Sequence, residues 1–249
     1  MDFAGHQSLL GSHRAAERIS PDHEFVQGFD VVAPRGRTND AFTQTETRGK
    51  NPYLDSRTKR FLDLTVAAIA LAVLFPLMLS IASAVLVTSR GPALFLQERG
   101  GRGQRPFRIM KFRSMYVQPA ESSIVQATPG DPRATPLGRF LRSTSVDEIP
   151  QLFNVFKGEM SIVGPRPHAI VHDELFATRI DAYCNRFVCK PGITGLAQVR
   201  GYRGATTTQD LIAQRVALDL QYIETASLRL DLLIILRTTW TVLTCRNAH

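Results

Sequence analysis

Leu64–Val87 reads LTVAAIALAVLFPLMLSIASAVLV, 24 residues without a single charged side chain. A helix that is apolar on every side needs apolar surroundings on every side, which a chain of 249 residues can hardly supply. The run is therefore assigned to a bilayer, for which it is long enough. Pro76 falls near its middle, with twelve residues before it and eleven after. Each half, if helical, reaches only about 16–18 Å, roughly half of the ~30 Å hydrocarbon thickness. Proline removes one helix hydrogen bond and bends the axis. Arg57, Lys59 and Arg60 flank one end and Arg90 the other, so the positive-inside signal does not choose between them. That pattern suits a Pro-broken, re-entrant helix entering and leaving by one face; an ordinary kinked span is the competing reading.

Upstream, residues 1–57 mix Gly, Pro, His, Thr and charges without a period of 2 or 3.6, and are expected to form a disordered polar tail. No apolar signal-peptide core occurs in the first thirty residues. The net charge of +8 favours anionic partners: nucleic acid, phospholipid or phosphorylated substrates. Three cysteines, with no CxxC pair, fit a reduced compartment. His168 and His172 stand at i and i+4 before Asp173 and Glu174, but not in the HExxH order of a zinc helix, and a solvated face is the preferred reading.

Downstream, Arg90–Arg113 holds seven basic residues against Glu98 alone. Gly100–Gly103 reads as a tight turn between LFLQER and RPFRIMKF, whose alternation predicts two short strands. Such a surface next to a bilayer gathers anionic lipid and phosphorylated substrate; simple adhesion is the bland alternative, and nucleic acid is less attractive. Residues 118–136 read as a Pro- and Thr-rich loop, a candidate cover for a site. Leu137, Phe140 and Leu141 alternate with Arg139 and Arg142 in an amphipathic turn or two. The acid pair Asp147–Glu148 then precedes an apolar helical pattern, Ile149, Leu152, Phe153 and Phe156. With Asp147 as N-cap, Pro150 falls in the first turn, where its missing N–H costs nothing. Gly164–Pro167 closes the stretch with a stiff basic turn, and Val188–Gly201 carries turn signals at Pro191, Gly192 and Gly195. Leu228–Leu243 is apolar around Arg229, Asp231 and Arg237, which argues for an interfacial helix with Trp240 at headgroup level.

Six motifs stand in series: KRFLD at 59–63, KFRSM at 111–115, LRSTSVDEIPQL at 141–152, SIVGPRP at 161–167, KPGITGLAQV at 190–199 and DLQYIE at 219–224. From about Thr58 to Thr244 the chain resembles the bacterial sugar transferases, monotopic polyprenol-phosphate phosphoglycosyl transferases. The resemblance implies a mainly α fold with a small β component (α+β). It divides the chain into the tail, a membrane-embedded re-entrant helix over 58–90, a catalytic domain over 91–226 on the cytoplasmic face of the bacterial inner membrane, and an interfacial helix over 227–249. The implied reaction moves a sugar-1-phosphate from a UDP-sugar to undecaprenyl phosphate through a covalent phosphosugar on Asp147, beginning surface-glycan assembly. Glu148 assists, Mg²⁺ is held by Asp147 and Glu148, and Lys111, Arg113, Arg142 and Arg166 are the candidate phosphate contacts. Pro191, Gly192, Thr194, Gly195 and Gln198 form the implied nucleotide-sugar loop. A carboxylate attacking a diphosphate meets like charge, so a site rich in cations is what this chemistry requires.

One departure is local: the family often places Ser before the helix-breaking proline, where this chain has Phe75-Pro76. The motif Pro165–His168 and the run Gly201–Gly204 resemble the subgroup that uses UDP-glucose, with UDP-galactose second. Membrane lipid is an expected partner, nucleic acid is not, and the sequence leaves a homodimer open. A non-enzymatic membrane adaptor and a metal-dependent diphosphate hydrolase are the rival classes.

Overall fold

The computed structural model describes residues 51–117, 130–204 and 208–244. The tail over 1–50, most of the 118–136 loop and Cys245 lie outside the described residues. The fold is mostly helical with two small two-stranded sheets. Residues 51–55, which the sequence pattern assigns to the tail, are part of the fold: Asn51 Nδ2 donates to Glu224 O and Ala226 O, and Pro52–Asp55 forms a 3₁₀ turn.

Ser56 accepts from Lys59 N and opens α1, Arg57–Thr88. It is the one described helix long and apolar enough to cross a membrane. Pro76 does not divide it; a single helix runs through the proline. Both ends of α1 pack against the same globular body. Near its start, Lys59, Asp63 and Ala67 are buried; near its end, Met78, Ile81 and Val85 close on Phe112 and Leu141. Its outer side exposes Phe61, Ile69, Val73, Phe75, Leu79 and Val87.

The predicted hairpin forms as β1, Leu94–Gly100, and β2, Pro106–Phe112, antiparallel from Leu94↔Phe112 to Gly100↔Pro106. Phe107 and Ile109 face the core, while Arg105 and Arg108 face outward. Helix α2 covers Pro136–Thr144 and α3 Gln151–Lys157. Fully buried Asn154 on α3 welds the hairpin to it, donating to Arg108 O (2.8 Å) and accepting from Met110 N (3.0 Å). Strands β3, Ser161–Val163, and β4, Gly192–Thr194, pair in parallel. Four helices complete the body: α4 at Ile170–Ala177, α5 at Leu196–Val199, α6 at Gln209–Thr225 and α7 at Leu228–Leu243.

Helix α7 displays Leu232, Leu233, Leu236 and Trp240 to the outside, as an interfacial helix would. Asp231 departs from that pattern. It is wholly buried, and Lys59 Nζ reaches it at 2.7 Å while also donating to Asp63 (3.3 Å) and Val163 O (3.1 Å). Tyr222 and Tyr53 hydroxyls donate to the two Asp231 oxygens (2.8 and 2.9 Å), and Asp63 accepts from Ser161 Oγ and Ile162 N. Two carboxylates and one ammonium are thus taken out of water with their lone pairs satisfied, the condition under which buried ions are tolerated. Removing one partner strands the others. Asp231→Ala is expected to cost about 3–5 kcal/mol, read as a lower midpoint of denaturant unfolding in detergent; an exposed change on the same helix, Leu236→Ser, is expected to leave that midpoint nearly unmoved.

Candidate active site

The acid pair lies in the link between α2 and α3. Ser145 ends α2 in the left-handed region (φ 61°), and Val146–Glu148 forms one 3₁₀ turn. Asp147 is therefore not the N-cap of the following helix, as its spacing suggests; that position belongs to Pro150. The reason is the proline itself. Without an N–H, Pro150 cannot bond Val146 O four residues back, and that carbonyl instead accepts from Ile149 N (3.2 Å), tightening the backbone to 3₁₀.

Cations converge on Glu148 from three segments. Lys111 on β2 donates to Oε1 (2.8 Å). Arg166 forks over both oxygens, donating from Nη2 to Oε1 and from Nη1 to Oε2 (3.1 Å). Arg203 lies 4.0 Å from Oε2 and bonds Ser145 Oγ. Asp147 is buried, yet no described residue hydrogen-bonds its carboxylate. Arg142 near it is half-buried, and its side chain has no hydrogen bond or ion pair among the described residues.

The two neighbouring carboxyls titrate apart. Burial raises Asp147 to about 6, the Glu148 charge adds to the rise, and Lys111 and Arg142 oppose it. Burial pushes Glu148 the same way, but Arg166 and Lys111 overcome it and hold the group well below the usual carboxylate range. Glu148 is thus a fixed anion, clamped in place. Asp147 is the more basic acid and the one whose oxygens no described residue hydrogen-bonds, which suits it to attack an electrophile when ionised.

The other expected site residues fall into two places. Gly192 and Gly195 approach the Gly164 backbone so closely that a Cβ would lie 2.1 Å from Gly164 N or 2.3 Å from Gly164 O. Gly164 N donates to Thr194 O and Gly192 N to Pro165 O (2.9 Å each). Pro191 lies against the same loop, beside Pro165 and Arg166. Thr194 bonds Thr238, and Gln198 donates to Ile193 O; neither side chain contacts the acid pair. This segment therefore shapes the turn that aims Arg166. Arg113 is drawn away from the pair, its Nη2 donating to Ser89 O (2.7 Å) at the end of α1.

A second buried cluster backs the same turn. Arg186 donates to Arg166 O (2.7 Å), Asp219 (2.8 Å) and the Tyr183 hydroxyl (2.9 Å), and Tyr183 donates to Asp173 (2.6 Å). His168 joins through Tyr183; burial, with Arg186 and Arg215 beside it, keeps the ring neutral. His168 is thus a buried member of this network and not part of a solvated helix face. Among the described residues no three His, Cys, Asp or Glu side chains cluster as a metal cage. Sequence reasoning missed Arg203 as a member of the site, although the glycines on either side of the Tyr202-Arg203 pair mark a turn able to present a side chain.

Residues 54–245 match the family model described as bacterial sugar transferase. The chain belongs to the bacterial sugar transferase family. It is 51% identical over 191 residues to the UDP-glucose:undecaprenyl-phosphate glucose-1-phosphate transferase of Caulobacter vibrioides, covering 77% of this chain and 72% of that one. To the enzyme of the same description from Klebsiella pneumoniae it is 48% identical, over 73% of this chain and 39% of the relative. An exopolysaccharide production protein of Rhizobium leguminosarum is 40% identical across 98% of its own length. The matched region of the transferase contains the acid pair, the cations around it and the whole of α1.

The clamp on Glu148 is testable in this transferase. Arg166→Lys removes the fork and is expected to lower kcat/KM roughly 10–100-fold, the worth of one hydrogen bond to a charged group (about 1.5–3 kcal/mol). Gly192→Ala, which touches no acid, is expected to lower turnover as well by displacing the Pro165–Pro167 turn, with a measurable fall in melting temperature that Arg166→Lys lacks.

Proposed function

We propose that the protein transfers glucose-1-phosphate from UDP-glucose to undecaprenyl phosphate, with Asp147 as nucleophile. The observation that carries this reading is the pairing of an unengaged, raised-pKa carboxylate with a clamped anion inside a surplus of cations. Four basic side chains, Lys111, Arg142, Arg166 and Arg203, face two acids, a charge balance matched to a diphosphate. An Asp147 oxygen attacks the sugar-bearing phosphorus of UDP-glucose, and the P–O bond to UMP breaks. UMP leaves and glucose-1-phosphate remains on Asp147 as an acyl phosphate. A phosphate oxygen of undecaprenyl phosphate then attacks the same phosphorus, freeing Asp147 and giving undecaprenyl-diphospho-glucose. Two steps let one pocket receive donor and acceptor in turn.

The donor set fits Mg²⁺, which binds through one or two carboxylates and completes its shell with substrate phosphates and water. Asp147 would hold it, with Glu148 sharing as its own cations shift to the substrate. Bound there, the ion neutralises charge on the phosphoryl oxygens. The glucose assignment rests on the activities for which the Caulobacter and Klebsiella relatives are named. A relative from Aeromonas hydrophila, 41% identical, is described as acting with UDP-N-acetylgalactosamine, so that sugar belongs in the panel beside galactose. The packing of both ends of α1 on one body supports a segment entering and leaving the bilayer from one face, the cytoplasmic side where UDP-sugars are made. The Rhizobium relative supports a place at the start of exopolysaccharide assembly.

The test follows UMP release by purified protein with Mg²⁺, undecaprenyl phosphate and each UDP-sugar. UDP-glucose is expected to be productive, release to stop on chelation and resume with added Mg²⁺, and Asp147→Asn to lose at least about 10³-fold. Labelled UMP is expected to exchange into UDP-glucose without lipid. Lipid-independent release of free glucose-1-phosphate would establish the hydrolase instead, and no release from folded, membrane-bound protein would establish the adaptor.

A further inference from the structure

Arg215 on α6 is only 4% exposed, yet among the described residues no carboxylate pairs with it. Asp219, one turn further along the same helix, accepts from Arg186 Nε instead (2.8 Å). Arg215 Nη2 donates to Gly204 O (2.6 Å), Nη1 faces His168 Nε2 at the longer distance of 3.5 Å, and Nε has no partner. Burial and the nearby Arg166 charge lower the group to about 10, which leaves it a cation at neutral pH. A buried cation committed to one backbone carbonyl is a costly way to hold a turn for stability alone. Its value depends on what that turn carries.

The turn carries Arg203. Its near side is tied to α5, Gly201 N donating to Gln198 O (3.1 Å) and Tyr202 N to Ala197 O (3.0 Å), and the chain bends back at Gly201 (φ +94°). Its far side is held at Gly204 by Arg215. Between these two anchors Arg203 donates to Ser145 Oγ and stops 4.0 Å from Glu148 Oε2. Lys111 and Arg166 already bond that carboxylate, so of the three cations Arg203 is the one able to meet a substrate phosphate without first leaving Glu148. Arg186 serves the other turn in the same way, through Arg166 O. His168 stands between the two buried arginines. The Tyr183 hydroxyl donates its one proton to Asp173 and accepts from Arg186 Nη1, so its remaining lone pair accepts from His168 Nδ1. The neutral ring then has a bare Nε2, an acceptor facing Arg215 Nη1. The turns bearing Arg166 and Arg203 are thus referred to each other through the interior.

We propose that Arg215 is a positioning residue of the transfer reaction: through Gly204 O and the bare Nε2 of His168 it sets how far Arg203 reaches toward the acid pair. The inference deepens the transferase reading given above and rests on it. Arg215 hydrogen-bonds neither acid, so its contribution to the chemistry passes through Arg203. The guanidinium suits the task, because its rigid fork addresses two acceptors in a fixed geometry where a lysine addresses one.

The experiment is a double-mutant cycle on the full chain, reading kcat/KM for UMP release from UDP-glucose with undecaprenyl phosphate and Mg²⁺. Arg203→Gln and Arg215→Gln are each expected to lower it about tenfold. Combined, they are expected to fall no more than roughly twofold below Arg203→Gln alone, since Arg215 then has no guanidinium left to place. In a Lys111→Gln background, where Arg203 is intact, Arg215→Gln is expected to keep its full loss. Arg215→Lys, which keeps a cation able to donate to Gly204 O, is expected to lose only roughly threefold. Where Arg215→Gln does not fold, Arg215→Lys carries the same cycle, its loss vanishing beside Arg203→Gln. A merely structural role would lower the melting temperature and cost the same factor in every background. That result, or wild-type kcat/KM in Arg215→Gln, would overturn the positioning role. An active wild type in which Arg203→Gln costs nothing defeats this inference alone; wild type that releases no UMP from any UDP-sugar defeats the transferase reading with it.

Discussion

One ammonium group holds the architecture together. Lys59, three residues into a helix that is otherwise apolar for most of its length, reaches Asp63, Asp231 and Val163 O in the interior. Its contacts join the first long element to the last and to the short strand that leads directly into Gly164–Pro167. Val163 O also accepts from Tyr222 (3.1 Å), so the segment placing Arg166 is anchored by the same cluster that anchors α1. A helix with little polarity of its own acquires a fixed depth and rotation from a single charged turn, and the active-site turn inherits that reference.

The chemistry depends on making two adjacent, chemically similar acids unlike. Backbone geometry does the first part: the 3₁₀ turn forced by Pro150 directs successive side chains to different surroundings. Electrostatics does the rest, since Glu148 receives the fork of Arg166 and the ammonium of Lys111 while Asp147 receives neither. Desolvation acts on both with the same sign, and only the distribution of cations separates them. Removing the fork would therefore alter both acids, because the charge that Glu148 shows to Asp147 depends on how well it is neutralised.

What could be read in the chain follows the range of the forces involved. The uncharged run of α1 and the glycine-rich turn of the hairpin are local patterns, and both elements form where the pattern placed them. The acid pair stood out by its motif, as did Arg166 and Lys111. The failures came where tertiary partners decide. Asp231 reads as a surface charge on an interfacial helix because its partner stands far back in the chain. Arg113 alternates with Lys111 along the sequence, yet the end of α1 captures it. Asp147 has the spacing of a cap, but the missing N–H of Pro150 moves the helix start past it. For Gly192 and Gly195 the resemblance implies a nucleotide-sugar loop, and spacing does not show that they also let two backbones meet without a side chain between them.

The Lys59–Asp231 bond spans 172 residues of chain, which sets an order of events during synthesis. At about 5–20 residues per second, Asp231 follows Lys59 out of the ribosome by roughly 10–35 s. Throughout that interval Lys59 has Asp63 alone as its carboxylate partner, and an ion pair without its other hydrogen bonds does not follow an apolar run into hydrocarbon. In the bilayer placement proposed for α1, that pair would keep the start of the helix at the headgroup layer until the last helix arrives. Final docking is then a late, C-terminal event, and a nascent chain cut short before Asp231 would rest on the membrane with its active-site turn still unanchored.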